Sequence, residues 1–84
     1  MVPSLIRLQK HDPARNQYRY YNLDVQPNLF GSWSVIREWG RIGRRGQQRV
    51  ELCDSREEAD RVFVAKLRQK RRRGYNQVQP LSTL

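Results

Sequence analysis

Residues 17–25, Gln-Tyr-Arg-Tyr-Tyr-Asn-Leu-Asp-Val, set Tyr21, Leu23 and Val25 against Asn22 and Asp24 at a two-residue period. That is the pattern of a strand with one face buried and the other in water. Such a strand cannot stand alone, because its backbone groups need paired neighbours and its apolar face needs a cover. The neighbours follow along the chain. Pro27, Asn28 and Gly31 supply turn chemistry leading into residues 32–39, where Trp33, Val35, Arg37 and Trp39 share one face. Gly40, Gly43 and Gly46 then permit a tight reversal, and residues 47–53 resume the alternation with Val50 and Leu52. Upstream, residues 4–10 carry Leu5, Ile6 and Leu8 and read as a strand ending before the turn-forming His11-Asp12-Pro13, with a loop over 14–16. These runs predict an antiparallel meander.

The cover is one helix. Ser55 is placed as its N-cap with Glu58 three residues on, a capping box, and Glu57, Glu58 and Asp60 suit the positive end of the helix dipole. Ala59, Val62, Phe63, Lys66 and Leu67 recur as one stripe, Gly74 is a natural stop, and Tyr75 is placed to pack back on the helix. Residues 77–84 are either a short edge strand or a loose tail, given Pro80. A chain of 84 residues buries only about 60–65% of its unfolded surface, enough for one thin core. The expected fold is therefore α+β, a small antiparallel sheet of four to five strands with one α-helix packed on one face. It forms a single domain over 1–84, with its core at about 5–76.

Seventeen Lys and Arg oppose eight Asp and Glu, a net charge of +9, and fourteen of the seventeen are Arg. A guanidinium grips phosphate with two parallel hydrogen bonds and stacks on rings, so a phosphate-rich partner is the first expectation. A solubilising surface is the plainer reading of the same charge, and an anionic membrane is a third partner. No apolar run approaches the roughly 18–20 residues that span a bilayer, and the helix stripe is committed to the sheet, so no membrane insertion is expected. The lone Cys53 can form no internal disulfide or multi-cysteine metal site and fits a reducing compartment. With no secretory signal in the first residues, a cytoplasmic location is expected.

Enzymatic readings lack parts. His11 is the single histidine, beside a turn, with no Ser, Cys or carboxylate at a recognisable spacing. Asp12 and Asp24 read as turn and strand-surface residues. The glycines at 40, 43 and 46 lack the Gly-Lys-Ser/Thr ending of a phosphate loop and precede a strand instead of a helix. A binding protein without cofactor is expected. Its candidate surface is residues 37–49, where five arginines, Arg41, Arg44, Arg45 and Arg49 among them, interleave with Trp39 and small residues. Arginines would neutralise phosphates, while Gln47 and Gln48 could donate to phosphates or base edges. Trp39 has two readings, a core residue continuing the face of Trp33 and Val35 or a partly exposed stacking ring, and its place beside a glycine loop favours the second. The six cations over 66–73 partly serve the negative end of the helix dipole.

The run Trp39-Gly40-Arg41-Ile42-Gly43, with Tyr20-Tyr21-Asn22-Leu23 and Trp33-Ser34-Val35-Ile36-Arg37 before it, resembles the WGR domain, named for that tripeptide. The resemblance continues through Gly46-Gln47, the Ser55-capped helix with Ala59 and Phe63, and Gly74-Tyr75, covering roughly residues 5–76. It implies the same sheet-and-helix fold and a nucleic-acid role. WGR domains occur in poly(ADP-ribose) polymerases that respond to DNA breaks, where the motif's Trp packs on a terminal nucleotide. The resemblance thus implies that Trp39 is the stacking residue and that Arg19 lies near the DNA. The motif's arginine, here Arg41, serves in those enzymes largely for contact with other domains. Nothing in these 84 residues resembles the ADP-ribosyltransferase region, and the chain is similar to stand-alone bacterial WGR proteins.

Charge and resemblance together lead to a nucleic-acid-binding module with DNA favoured over RNA, ends or nicks being a narrower expectation. An adapter docking an acidic protein through Arg41 and a single-stranded RNA binder are the alternatives.

Overall fold

A computed structural model describes residues 5–78. The order is β1 (Leu5–Asp12), a 3-10 turn (Pro13–Arg15), β2 (Gln17–Pro27), β3 (Trp33–Arg41), β4 (Gln47–Cys53), α1 (Arg56–Arg72) and β5 (Asn76–Gln77). The strands form one sheet in the order β4-β3-β2-β1-β5, and every pairing is antiparallel. The meander is thus β1 to β4. The helix carries the chain back across one face to lay β5 along β1. This is the α+β architecture expected, with five strands and one helix.

Between sheet and helix lies a single core. Ile6, Leu8, Tyr21, Leu23, Val25 and Val35 come from the three central strands, and Ala59 and Phe63 from the helix. Register explains why these residues meet. Ile6 lies opposite Leu23, Leu8 opposite Tyr21, Val25 opposite Val35, and residues directly opposite in an antiparallel pair point to the same face. Val62 and Leu67 pack at the margin of the core, so the helical stripe falls where its spacing placed it.

The helix ends are built from side chains and glycine. Ser55 Oγ accepts the Glu58 amide at 3.1 Å, and the Glu58 carboxylate accepts the Asp54 amide at 3.0 Å. The return bond thus goes one residue upstream of the cap. At the other end the Tyr75 amide donates to the Lys70 carbonyl and the Gly74 amide to the Arg71 carbonyl, both at 3.1 Å. Gly74 takes φ +95°. This is the paired-bond stop that needs a left-handed residue, and it turns Tyr75 into the core.

Three expectations are corrected. β1 runs on through His11 and Asp12, which pair with Tyr18 and Gln17; the reversal is made instead by Pro13–Arg15 and by Asn16 at φ 54°. Gly40 and Arg41 belong to β3, opposite Tyr20 and Arg19, and within the Gly40–Gly46 segment only Gly43 has a positive φ, +86°. Val50 and Leu52 point away from the helix and are 52% and 70% exposed. Val35 faces the helix opposite Glu51, which puts the odd residues of β4 on that face and its apolar even residues on the open one. A short edge strand does form, but over Asn76 and Gln77, so it shares only Gln77 with the segment expected to supply it; the Val78 amide also donates to the Arg7 carbonyl at 2.9 Å. Residues 79–84 lie outside the described residues.

Candidate nucleic-acid interface

Tyr20 determines the shape of the Trp-Gly-Arg end. Its ring lies on the open face against Gly40 in β3 and Gly46 just before β4. A Cβ on Gly46 would sit 2.8 Å from the Trp39 carbonyl carbon and well inside 3.0 Å of the Trp39 oxygen and the Tyr20 hydroxyl; one on Gly40 would meet the Gly46 Cα at 2.8 Å. The space these glycines leave is therefore filled by the domain's own tyrosine and backbone, not left open for a partner.

On the opposite face Trp39 is half-buried. Its ring lies nearly parallel to Tyr21, with centroids 6.2 Å apart and planes at 24°, and Tyr75 meets Tyr21 edge-on at 6.4 Å. Trp39 is therefore partly core and partly exposed, since it packs on the core and also walls a cleft. That open cleft, of about 600 Å³, is lined by Trp39, Gly40, Tyr20, Tyr21 and Tyr75, by Asn16 and Gln17, and by the cations Arg15, Arg19, Arg41 and Lys70. Among the described residues no carboxylate lines it.

Lys70, like Arg15, is a cleft cation that sequence reasoning missed. It stands in the last turn of the helix, and the stop at Gly74 holds that turn against the sheet, so its ammonium lies 4.5 Å from the Tyr21 ring centroid and 5.5 Å from that of Tyr75. Burial pushes its pKa below the ordinary lysine value, and Arg73, Lys66, Arg37 and Arg19 push the same way. A partly desolvated cation surrounded by cations favours an anion nearby. The usable signal was the helical register, which puts Lys70 one turn beyond Lys66 on the buried stripe.

Arg41 is engaged within the domain. Nη1 donates to the Asn16 carbonyl at 3.1 Å and Nη2 to Asn16 Oδ1 at 3.3 Å, while the guanidinium lies 5.5 Å from the Tyr18 ring centroid. It ties β3 to the left-handed Asn16 that closes the β1–β2 turn. Of the sequence candidates, the cleft brings together Arg19, Trp39 and Arg41. Arg44 and Arg45 stand exposed on the β3–β4 turn beside it, and Gln47 lies opposite Trp39 in the ladder. Arg49 is further along β4, opposite Arg37, and does not line the cleft. Arg15 and Lys70 complete the cationic lining.

Among the described residues no helix is long and apolar enough to cross a membrane. The buried Cys53 thiol has its pKa raised, first by burial and then by nearby carboxylates, which suits a packing residue.

The uncharacterized protein y4dW of Sinorhizobium fredii is 47% identical over 73 residues, which are 87% of this chain and 36% of that protein. The chain thus spans about a third of the length of that curated relative. The family model of the WGR domain matches residues 5–81, taking in the five strands, the helix and the cationic cleft, and the chain belongs to the WGR domain family, a nucleic-acid-binding type of module.

Proposed function

We propose that the chain is a DNA-binding module, not an enzyme, and that it holds the phosphate backbone in the cleft at the Trp39 end of the sheet. The observation that carries this reading is the lining of the cleft, four cations with the rings of Tyr21 and Tyr75 beside Trp39 and no acid among the described residues that form it. Arg15, Arg19 and Lys70 neutralise phosphates, Trp39 offers the part of its ring that walls the cleft to a sugar or base, and Arg44 and Arg45 extend the positive rim. Arg41 contributes charge from a position held by Asn16. Phosphate contacts set position and affinity but read no sequence, so sequence preference is slight.

Anisotropy titrations of labelled linear duplex, competed by closed circles, single strands and RNA, test the reading. Four phosphate contacts on duplex give a slope of log K against log salt near about −3.6, because each contributes about −0.9. Arg19→Ala lowers the magnitude of the slope by about 0.9. Trp39→Ala weakens binding to ends by about 1–3 kcal/mol, measured below the melting temperature of the variant. A salt-independent affinity sinks the phosphate reading, and equal competition by circles and linear ends sinks the preference for ends. Stronger competition by RNA than by any DNA overturns the choice of DNA.

A further inference from the structure

The two edges of the sheet are unequal. On one side β5 is a two-residue strand, a short edge of the kind that resists further pairing. On the other, β4 is seven residues long, ends the strand order, and contains no proline or lysine. An edge of this length presents unpaired amides and carbonyls to any strand that fits. Its exposed Val50 and Leu52 add apolar surface on the open face.

We propose that β4 pairs antiparallel with β4 of a second copy, joining the sheets of a two-fold symmetric dimer. Register follows from geometry. Directly opposed residues must share a face, and a two-fold axis normal to the sheet keeps faces unchanged, so the axis has to pass through a residue and not between two. Centring on Arg49 or on Glu51 opposes like charges. Centring on Val50 pairs the whole strand from Gln47 to Cys53 and sets Arg49 opposite Glu51 of the second copy, twice by symmetry. Val50 then meets Val50 on the open face, with Leu52 diagonal to it.

Charge at this edge fits that register. Arg49 has no carboxylate partner among the described residues, and its neighbour in the ladder is Arg37, another cation. Arg37 is satisfied in part by Glu51 at 4.0 Å, with its Nε unpaired. Glu51 remains 43% exposed in its side chain and can accept a second guanidinium. The net charge of +9 opposes association, so pairing is tested at about 0.15 M salt, where the screening length is about 8 Å.

The test is the mass of the full chain, free of nucleic acid, by sedimentation at about 100 μM, a concentration at which a dissociation constant near 10 μM gives mostly dimer. The wild type is expected at twice its 10.1 kDa monomer mass. Arg49→Glu alone and Glu51→Arg alone each oppose like charges in both symmetric pairs and weaken the dimer at least about tenfold. Mixed in equal amounts, the two variants restore opposite charges in both pairs and recover the dimer mass. Val50→Lys, which opposes two cations on the axis and disturbs no ion pair, yields monomer with an unchanged circular dichroism spectrum. A monomeric wild type, a folded single variant as dimeric as wild type, or a mixture that stays monomeric overturns the proposal.

Discussion

Gly46→Ala adds one methyl group where the structure has no room for it. The new Cβ would lie 2.8 Å from the Trp39 carbonyl carbon and closer still to its oxygen and to the Tyr20 hydroxyl. A tyrosine can swing aside, but a carbonyl in the β3 backbone cannot, so the β3–β4 hairpin has to spread. Overpacking of this kind costs about 3 kcal/mol, the upper part of its usual range. Loss of backbone freedom in the unfolded chain offsets about 0.4–1 kcal/mol of that. The net of about 2–2.5 kcal/mol lowers the melting temperature of a domain this size by about 10–20 °C. Gly43→Ala provides the scale. It has open space around it but φ +86°, so only left-handed strain of about 1–2 kcal/mol applies, less the same offset. Thermal melts and urea titrations of both variants should rank Gly46→Ala well below Gly43→Ala, with Tyr20→Phe rescuing the former only in part because the carbonyl clash remains. A Gly46→Ala protein as stable as Gly43→Ala refutes this account. If it also folds normally and loses only nucleic-acid binding, the glycine is there for the ligand and not for Tyr20.

Lys70 links pH to both stability and binding. Its pKa is lower folded than unfolded, so its charged form costs stability at neutral pH, and that cost is relieved as pH rises through the folded pKa toward the ordinary lysine value. The proposed phosphate contact needs the ammonium, so affinity should fall over the same alkaline window while stability rises; Lys70→Arg should abolish the fall in affinity, and its persistence in that variant assigns the effect to another group. Arg41→Ala removes two surface hydrogen bonds to Asn16 and should lower stability by about 1 kcal/mol in denaturant titrations. Unchanged stability there would assign Arg41 wholly to an external contact.

Much of the fold was legible because its causes are local. Two-residue alternation in 17–25 marks a strand wherever its partners lie. Ser55 and Gly74 mark helix ends because capping bonds close within four or five residues. Legibility failed at β4, where Val50 and Leu52 alternate as a buried strand would yet face solvent: a two-residue period shows that a strand has two faces, not which one the helix covers. At the candidate site Trp39 and the arginines were visible as residue types, but their grouping was not.

By itself, then, the sequence determined the four strands of the meander and the helix, both ends of that helix, the excess of positive charge and the Trp39-Gly40-Arg41 run near a strand terminus. Only the tertiary structure decided that Lys70, thirty-one positions after Trp39, shares a cleft with it, that Arg41 is bonded to Asn16, and that Gly40 and Gly46 exist to admit Tyr20. These relations depend on strand register and on the helix returning antiparallel over the sheet. They are distances between residues far apart in the chain, which no local period encodes.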